Sequence, residues 1–358
     1  MMVNSLISKI KGIIMEKQLG RSVYLSLIKD RSVSLDEITA GTPVFLSLHM
    51  EEEFDDDYGK DIHELCDRLN DKGCQIIADI SKSTLKKLNM DIDTLIKKLH
   101  LWAVRIDYGF TNDEITEMVK NNIVVLNAST MSLEEILEIK KHGNVMAMHN
   151  FYPRKETGLD EDRFMKINEM LKAHDIKVLA FILGKIKRGP MYEGLPTLEK
   201  QRFQNSYVSY VEMLKKYNVD QVYLSEPGID MDDFEKIEMF NKDGIITLPV
   251  DIDPEYRYLL NKVLTNRVDS PSGLIRVMES REYSRSNGSK ISPENNIERL
   301  TGFITIDNSL YKRYCGEIQI MKKDHPKDER VNVIGKVKEG YLDIMKLIEG
   351  KDRFILIQ

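Results

Sequence analysis

At 358 residues the chain has room for one large domain and a smaller one, and its net charge of −6 is spread over 52 basic and 58 acidic side chains. That balance gives no broad basic field, which argues against a nucleic-acid partner, and no apolar run approaches the ~20 residues of a membrane span. The three cysteines, Cys66, Cys74 and Cys315, lack metal-type spacing and read as buried thiols of a reducing, cytoplasmic compartment.

Residues 1–17 set Leu6, Ile7, Ile10, Ile13 and Ile14 at helical spacing, interrupted by lysines and followed by no small-residue cleavage site. This reads as an amphipathic helix covering the base of the next domain, not as a signal peptide. From 18 to 245, apolar runs of strand length alternate with helical patterns. The strand candidates are 19–27, 43–50, 74–81, 101–109, 123–128, 145–150, 177–183 and 219–225. Amphipathic segments such as 57–72, 111–121, 132–141 and 162–174 separate them, while 28–42 leaves room only for a short helix near 35–40. Near-continuous apolar strands separated by helices predict a parallel sheet covered on both sides. Eight such units predict an α/β fold, a (β/α)8 TIM-type barrel. No Gly-x-Gly-x-x-Gly turn follows the first strand to favour a dinucleotide-binding sheet.

The pattern changes at 246–358. Short apolar runs at 303–306, 317–321, 331–337 and 354–357 are separated by turn-rich pieces at 284–296 and 322–328, with helical periodicity only near 341–348. This predicts a second, mostly β domain, a small barrel. Gly244, Pro249 and Pro254 punctuate 242–253, which reads as the boundary.

In such a barrel the chemistry lies at the C-terminal strand ends. The densest one is 149–159, where His149, Asn150, Tyr152, Arg154 and a following Lys-Glu-Thr-Gly-Leu crowd the exit of the sixth strand. The other strand ends offer Tyr24 and Ser26, His49 and Glu51, Asp79 and Ser81, Asp107 and Tyr108, Asn127 and Ser129, and Ser225 and Glu226. Asp79, Asp107 and Glu226 can serve as acid, base or nucleophile for glycosidic cleavage. Each has a second reading. Asp79 can cap the following helix, Glu226 can be a turn residue before Pro227, and Asp107 can pair with Arg105 two residues earlier. His49 and His149 lack metal-ligand spacing, so no metal and no cofactor is expected. The loop 185–199 adds Lys185, Lys187, Arg188, Tyr192 and Glu193 where barrels often bind phosphate, with Thr197 placed to cap the next helix. In the second domain, Arg276, Arg281 and Arg285 recur near Glu279 and Glu282, and at least one of these arginines is expected to close over the mouth.

Several segments resemble a bacterial family of outer-surface-protein-like sequences that includes 6-phospho-N-acetylmuramidases. They are Leu19-Gly20 with Ser22-Val-Tyr24, Ala78-Asp79-Ile80-Ser81, Arg105-Ile-Asp-Tyr-Gly-Phe110, Leu126-Asn-Ala-Ser129, His149-Asn-Phe-Tyr-Pro-Arg154 and Thr157-Gly-Leu159. Further along are Arg188-Gly-Pro190, Glu193-Gly-Leu-Pro-Thr-Leu-Glu199, Asp307-Asn308, Tyr314-Cys-Gly-Glu-Ile-Gln-Ile320 and Arg330-Val-Asn-Val-Ile-Gly335. The resemblance implies a TIM-type barrel followed by a cyclophilin-like β-barrel. It also implies cytoplasmic hydrolysis of 6-phospho-MurNAc linked to GlcNAc, taken up by a phosphotransferase during peptidoglycan recycling. On that reading His149, Asn150 and Tyr152 hold sugar hydroxyls, and Arg154, Lys187 and Arg188 hold phosphate or the lactyl carboxylate. Tyr24, Asn127, Glu193, Arg276 and Arg281 complete the substrate contacts. The expected partner is a phosphorylated sugar, with no nucleic acid and no membrane; a homodimer is left open. The sequence departs from the family where strand one ends Tyr24-Leu25-Ser26 instead of Tyr-Pro-Glu. It departs again where the last strand ends Ser225-Glu226 instead of Gly followed by Asp or Asn. The alternative function is therefore a phosphosugar-binding paralogue without hydrolysis.

Overall fold

The computed structural model describes residues 18–50, 53–189, 191–280 and 291–358; the expected helix at 1–17, Glu51, Arg281 and Arg285 lie outside the described residues. The chain forms two compact units that meet between Asp230 and Met231.

In the first unit eight parallel strands close into a barrel in chain order, as the alternation predicts. They are β1 (Gly20–Val23), β2 (Pro43–Ser47), β3 (Gln75–Ile80), β4 (Ala103–Ile106), β5 (Val124–Asn127), β6 (Val145–Met148), β7 (Lys177–Ile182) and β8 (Gln221–Leu224), with β8 pairing back onto β1. Val44, Phe45 and Leu46 are all buried: a strand covered on both faces has no solvent side on which to place polar residues. Phe45, Ile77, Val125, Met146, Leu179 and Tyr223 pack into one core cluster. Closure is tight where β8 returns to β1, because a Cβ on Gly20 would lie 2.3 Å from the Tyr223 ring. Gly20→Ala is expected to cost about 1–3 kcal/mol, the usual range for overpacking. A denaturation midpoint equal to that of the parent chain would show that the ring swings aside freely.

Each strand ends earlier than its apolar run. The 19–27 run, for example, leaves the sheet after Val23 and turns into the helix Leu25–Lys29. The residues beyond the last ladder bond are those that line the mouth. Ser81, Thr111 and Ser132 cap the helices Lys82–Leu88, Asn112–Val119 and Leu133–Lys140 through reciprocal boxes with Thr84, Glu114 and Glu135. The cap after β3 is thus Ser81, so Asp79 is not a capping residue. Thr197 is not one either. It is buried, donates to the Asn150 carbonyl at 2.9 Å and accepts from Phe181 N–H, while Asn205 caps the helix Ser206–Lys215.

The second unit opens with the helix Met231–Asp243 and holds a seven-stranded sheet in the order β10-β15-β9-β14-β12-β13-β11. These strands are β9 (Ile245–Ile252), β10 (Val263–Thr265), β11 (Leu274–Arg276), β12 (Phe303–Asp307), β13 (Ile318–Met321), β14 (Val331–Val337) and β15 (Arg353–Ile357). Residues 245–252, within the stretch read as a boundary, form β9, an inner strand of the sheet. Its Pro249 is tolerated because β9 changes partner there: residues 245–249 pair with β15 and residues 250–252 with β14. The edge strands β10 and β11 meet at a bridge between Asn266 and Val277, so the sheet curls onto itself. Among the described residues no helix is long and apolar enough to cross a membrane.

Candidate active site

Register brings the first cluster together. Ser47 on β2, Asp79 on β3 and Arg105 on β4 are successive neighbours across the ladders, so their side chains share a face. Arg105 Nη1 donates to Asp79 Oδ1 at 2.6 Å and to Asp107 Oδ1 at 3.4 Å, and its Nη2 donates to Asn150 Oδ1. Arg105 is therefore paired first with Asp79 across the sheet, and only second with Asp107 along its own strand. His49, at the exit of β2, lies with Nδ1 3.1 Å from Asp79 Oδ2 and Nε2 4.0 Å from Asp107 Oδ2. Phe45, Phe151 and Phe181 wall one side edge to face, and together these residues line a cavity of about 190 Å³.

The electrostatics divide the roles. Burial pushes the Asp79 carboxyl up, but the Arg105 charge and the His49 contact outweigh it and hold its pKa below the ordinary value. Asp79 thus stays ionised. Burial lowers the His49 pKa, yet the hydrogen bond and charge of Asp79, with Asp107 beyond, leave it above the ordinary imidazole value. Asp79 is almost fully buried, while the Asp107 side chain keeps 24% exposure and faces the cavity. One donor atom each from His49, Asp79 and Asp107 falls within a 4.8 Å cluster, a spacing that suits a cation. The Arg105 guanidinium bridges the same two carboxylates through their Oδ1 atoms, while His49 faces their Oδ2 atoms.

The other strand-end candidates divide between this cavity and its supports. Asn150 lines it; Asn127 is buried and donates to Asn150 Oδ1 at 3.0 Å, fixing that amide. His149, expected at a sugar hydroxyl, is instead fully buried. It contacts Asn168 at 2.8 Å and Ser129 at 3.3 Å and packs on Phe164, and burial lowers its pKa to about 4. It is a neutral support, because the alternation along a strand turns successive side chains to opposite faces. Glu226 is also fully buried. Its oxygens meet Lys187 Nζ and Arg188 N–H, both at 3.3 Å, and burial raises its pKa against the opposing pull of Lys187. Tyr24 donates to the Ser225 carbonyl at 2.6 Å, and the Arg188 guanidinium stacks 3.5 Å above its ring; burial raises this phenol to about 12.

Lys187 and Arg188 belong to a second, larger cavity of about 790 Å³, also lined by Ser26, Met50, Glu53 and Tyr192. Arg154 is exposed on its loop, Tyr152 is half-buried, and Glu193 pairs with Lys155 at 2.8 Å. Arg276 is bound within its own unit to Glu317 at 3.2 Å and to Asp269 at 3.6 Å.

Two residues that the sequence did not single out organise the mouth. Arg202 is a buried hub. It donates to Glu199, to the Gly194 carbonyl and to the carbonyls of Tyr152 and Arg154, so it ties the β6 loop to the β7 loop. Glu199 in turn accepts from Gly158 N–H at 2.8 Å, where any Cβ would collide with its carboxylate. The motifs around 149–159 and 193–199 are therefore two halves of one folded unit. Arg202→Met is expected to lower stability by roughly 1–3 kcal/mol, the cost of stranding buried acceptors, and to open both loops to limited proteolysis. Unchanged cleavage in 149–199 would show that the loops hold without it. Phe151 is the other omission, and its signal was position: an aromatic at a barrel strand end beside two polar candidates.

The mouth of the closed parallel barrel thus carries carboxylates, an imidazole and an aromatic wall. Two family models match: 6-phospho-N-acetylmuramidase, N-terminal, over residues 19–239, and 6-phospho-N-acetylmuramidase, C-terminal, over residues 246–357. The chain belongs to the 6-phospho-N-acetylmuramidase family. It is similar to a solved conserved protein of unknown function from Enterococcus faecalis, at 31% identity and a TM-score of 0.80, over 95% of this chain and 96% of that one. It also shares its fold with an uncharacterised Bacillus cereus protein, at 22% identity and a TM-score of 0.76, over 96% and 100% of the two chains. No curated protein matches.

Proposed function

We propose that the chain hydrolyses the glycosidic bond of a phosphorylated amino-sugar disaccharide, 6-phospho-N-acetylmuramic acid linked to N-acetylglucosamine, in the cytoplasm during peptidoglycan recycling. The curled sheet of the second unit would then be the family's cyclophilin-like module. The observation that carries the reading is the Asp107–His49–Asp79 arrangement in an aromatic-walled cavity. Asp107 is the accessible carboxylate, suited to act as nucleophile or base. Asp79 orients His49 through Nδ1, as a carboxylate orients a catalytic imidazole, leaving Nε2 toward the cavity to give up a proton. Phe45, Phe151 and Phe181 offer apolar surface to a pyranose face. Arg188, with its planar fork stacked on Tyr24, and Lys187 supply the cationic side for phosphate or lactyl carboxylate.

Incubation of the purified chain with the phosphorylated disaccharide tests this: release of N-acetylglucosamine is the expected result. Thermal stabilisation by the disaccharide without release would replace it with the binding-paralogue reading. The raised His49 pKa sets the pH dependence. An imidazole that must be protonated is in its working form below its folded-state pKa, so kcat is expected to fall as pH rises through a value above the ordinary 6.5. His49→Gln is expected to remove that limb of the profile. A profile identical in His49→Gln would exclude His49 as the proton donor.

A further inference from the structure

The 790 Å³ cavity carries one group that the proposed chemistry does not use. Glu53 lines it and is more than nine-tenths buried. One of its oxygens accepts from Ser26 N–H at 3.0 Å; among the described residues the other is buried with no hydrogen-bond partner. A buried carboxylate oxygen without a donor is costly unless something completes it. Across the same cavity stand groups of opposite character. The Arg188 guanidinium stacks on Tyr24, donates to Met50 Sδ at 3.2 Å and pairs with no carboxylate among the described residues, and Lys187 lies beside it. The cavity is thus uneven in charge: Lys187 and Arg188 line its β7 side, while Glu53, Asp30 and Asp55 line the other, where Lys29 is tied to Asp55 at 2.7 Å. An inorganic anion satisfies the first side and is repelled by the second. A sugar that carries an anion at one end and hydroxyl or acetamido donors at the other satisfies both.

We infer that Glu53 is a specificity-determining residue that accepts a hydrogen bond from a hydroxyl or acetamido N–H of the sugar whose anionic group Arg188 and Lys187 hold. This rests on the phosphosugar reading above. The test is calorimetric titration of the full chain with N-acetylmuramic acid 6-phosphate and, separately, with inorganic phosphate. Glu53→Ala is expected to weaken the sugar phosphate by about 10- to 100-fold, the range for a hydrogen bond to a charged group. Phosphate binding should be unchanged, whereas Arg188→Ala should weaken both. Glu53→Gln keeps an oxygen for Ser26 N–H, so it should share the loss if the ligand contact is what matters. Wild-type affinity in Glu53→Gln, whatever Glu53→Ala does, would reduce Glu53 to a loop brace and overturn the inference while the phosphosugar reading stands. A parent chain that neither binds the sugar phosphate nor cleaves the disaccharide would overturn both.

Discussion

Asp79→Asn is expected to destabilise the barrel by roughly 3–5 kcal/mol, the cost of removing one partner of a buried ion pair. The Arg105 side chain is almost fully buried, and Asp79 is its nearest anion at 2.6 Å. An asparagine preserves the shape and one acceptor but leaves the guanidinium with only the 3.4 Å contact to Asp107 as charge compensation. Asp79 also carries a pH signature. Its folded pKa is depressed, so its contribution is fully present above the ordinary carboxylate range and is lost as pH falls through the lowered value. Comparing the parent and Asp79→Asn by denaturation at pH 7 and again in acid measures this: the gap between them should narrow in acid. A variant as stable as the parent at pH 7 would show that Arg105 is compensated elsewhere.

Asp107→Asn should do the reverse. Its side chain is partly exposed, its contact with Arg105 is the longer of the two, and removing its charge leaves the Asp79–Arg105 pair intact. Turnover of the phosphorylated disaccharide is expected to fall at least ~10²-fold, the lower range for general acid–base groups, with little change in melting temperature. Activity retained alongside a clear loss of stability would return Asp107 to a structural ion pair and move the catalytic assignment elsewhere. The two substitutions are discriminating as a pair because the carboxylates share one guanidinium yet differ in access to the cavity.

The sequence by itself determined the barrel, because strands buried on both faces must be continuously apolar and the helices between them must be amphipathic. Phe45 with its neighbours and the capped helices after Ser81, Thr111 and Ser132 declare this locally. It also placed Asp79, Asp107, Asn150 and Arg188 at strand ends, where a barrel keeps its chemistry. It did not show β9 as a strand, because Pro249 signals a break in any local reading, whereas the change of partner strand that accommodates it is a property of the assembled sheet. Pairing was likewise invisible. Arg105 and Asp107 are neighbours in sequence, but Arg105 and Asp79 are neighbours in register, and in register the separation is shorter. The same holds at strand one. The chain carries Ser26 where a carboxylate was missed, and only folding brings the Glu53 carboxylate onto the Ser26 N–H. His149 and Glu226 are polar strand-end residues like the rest, yet both are fully buried as supports. Which strand-end side chains face the cavity depends on strand register and loop packing, which are set by contacts between residues far apart in the chain.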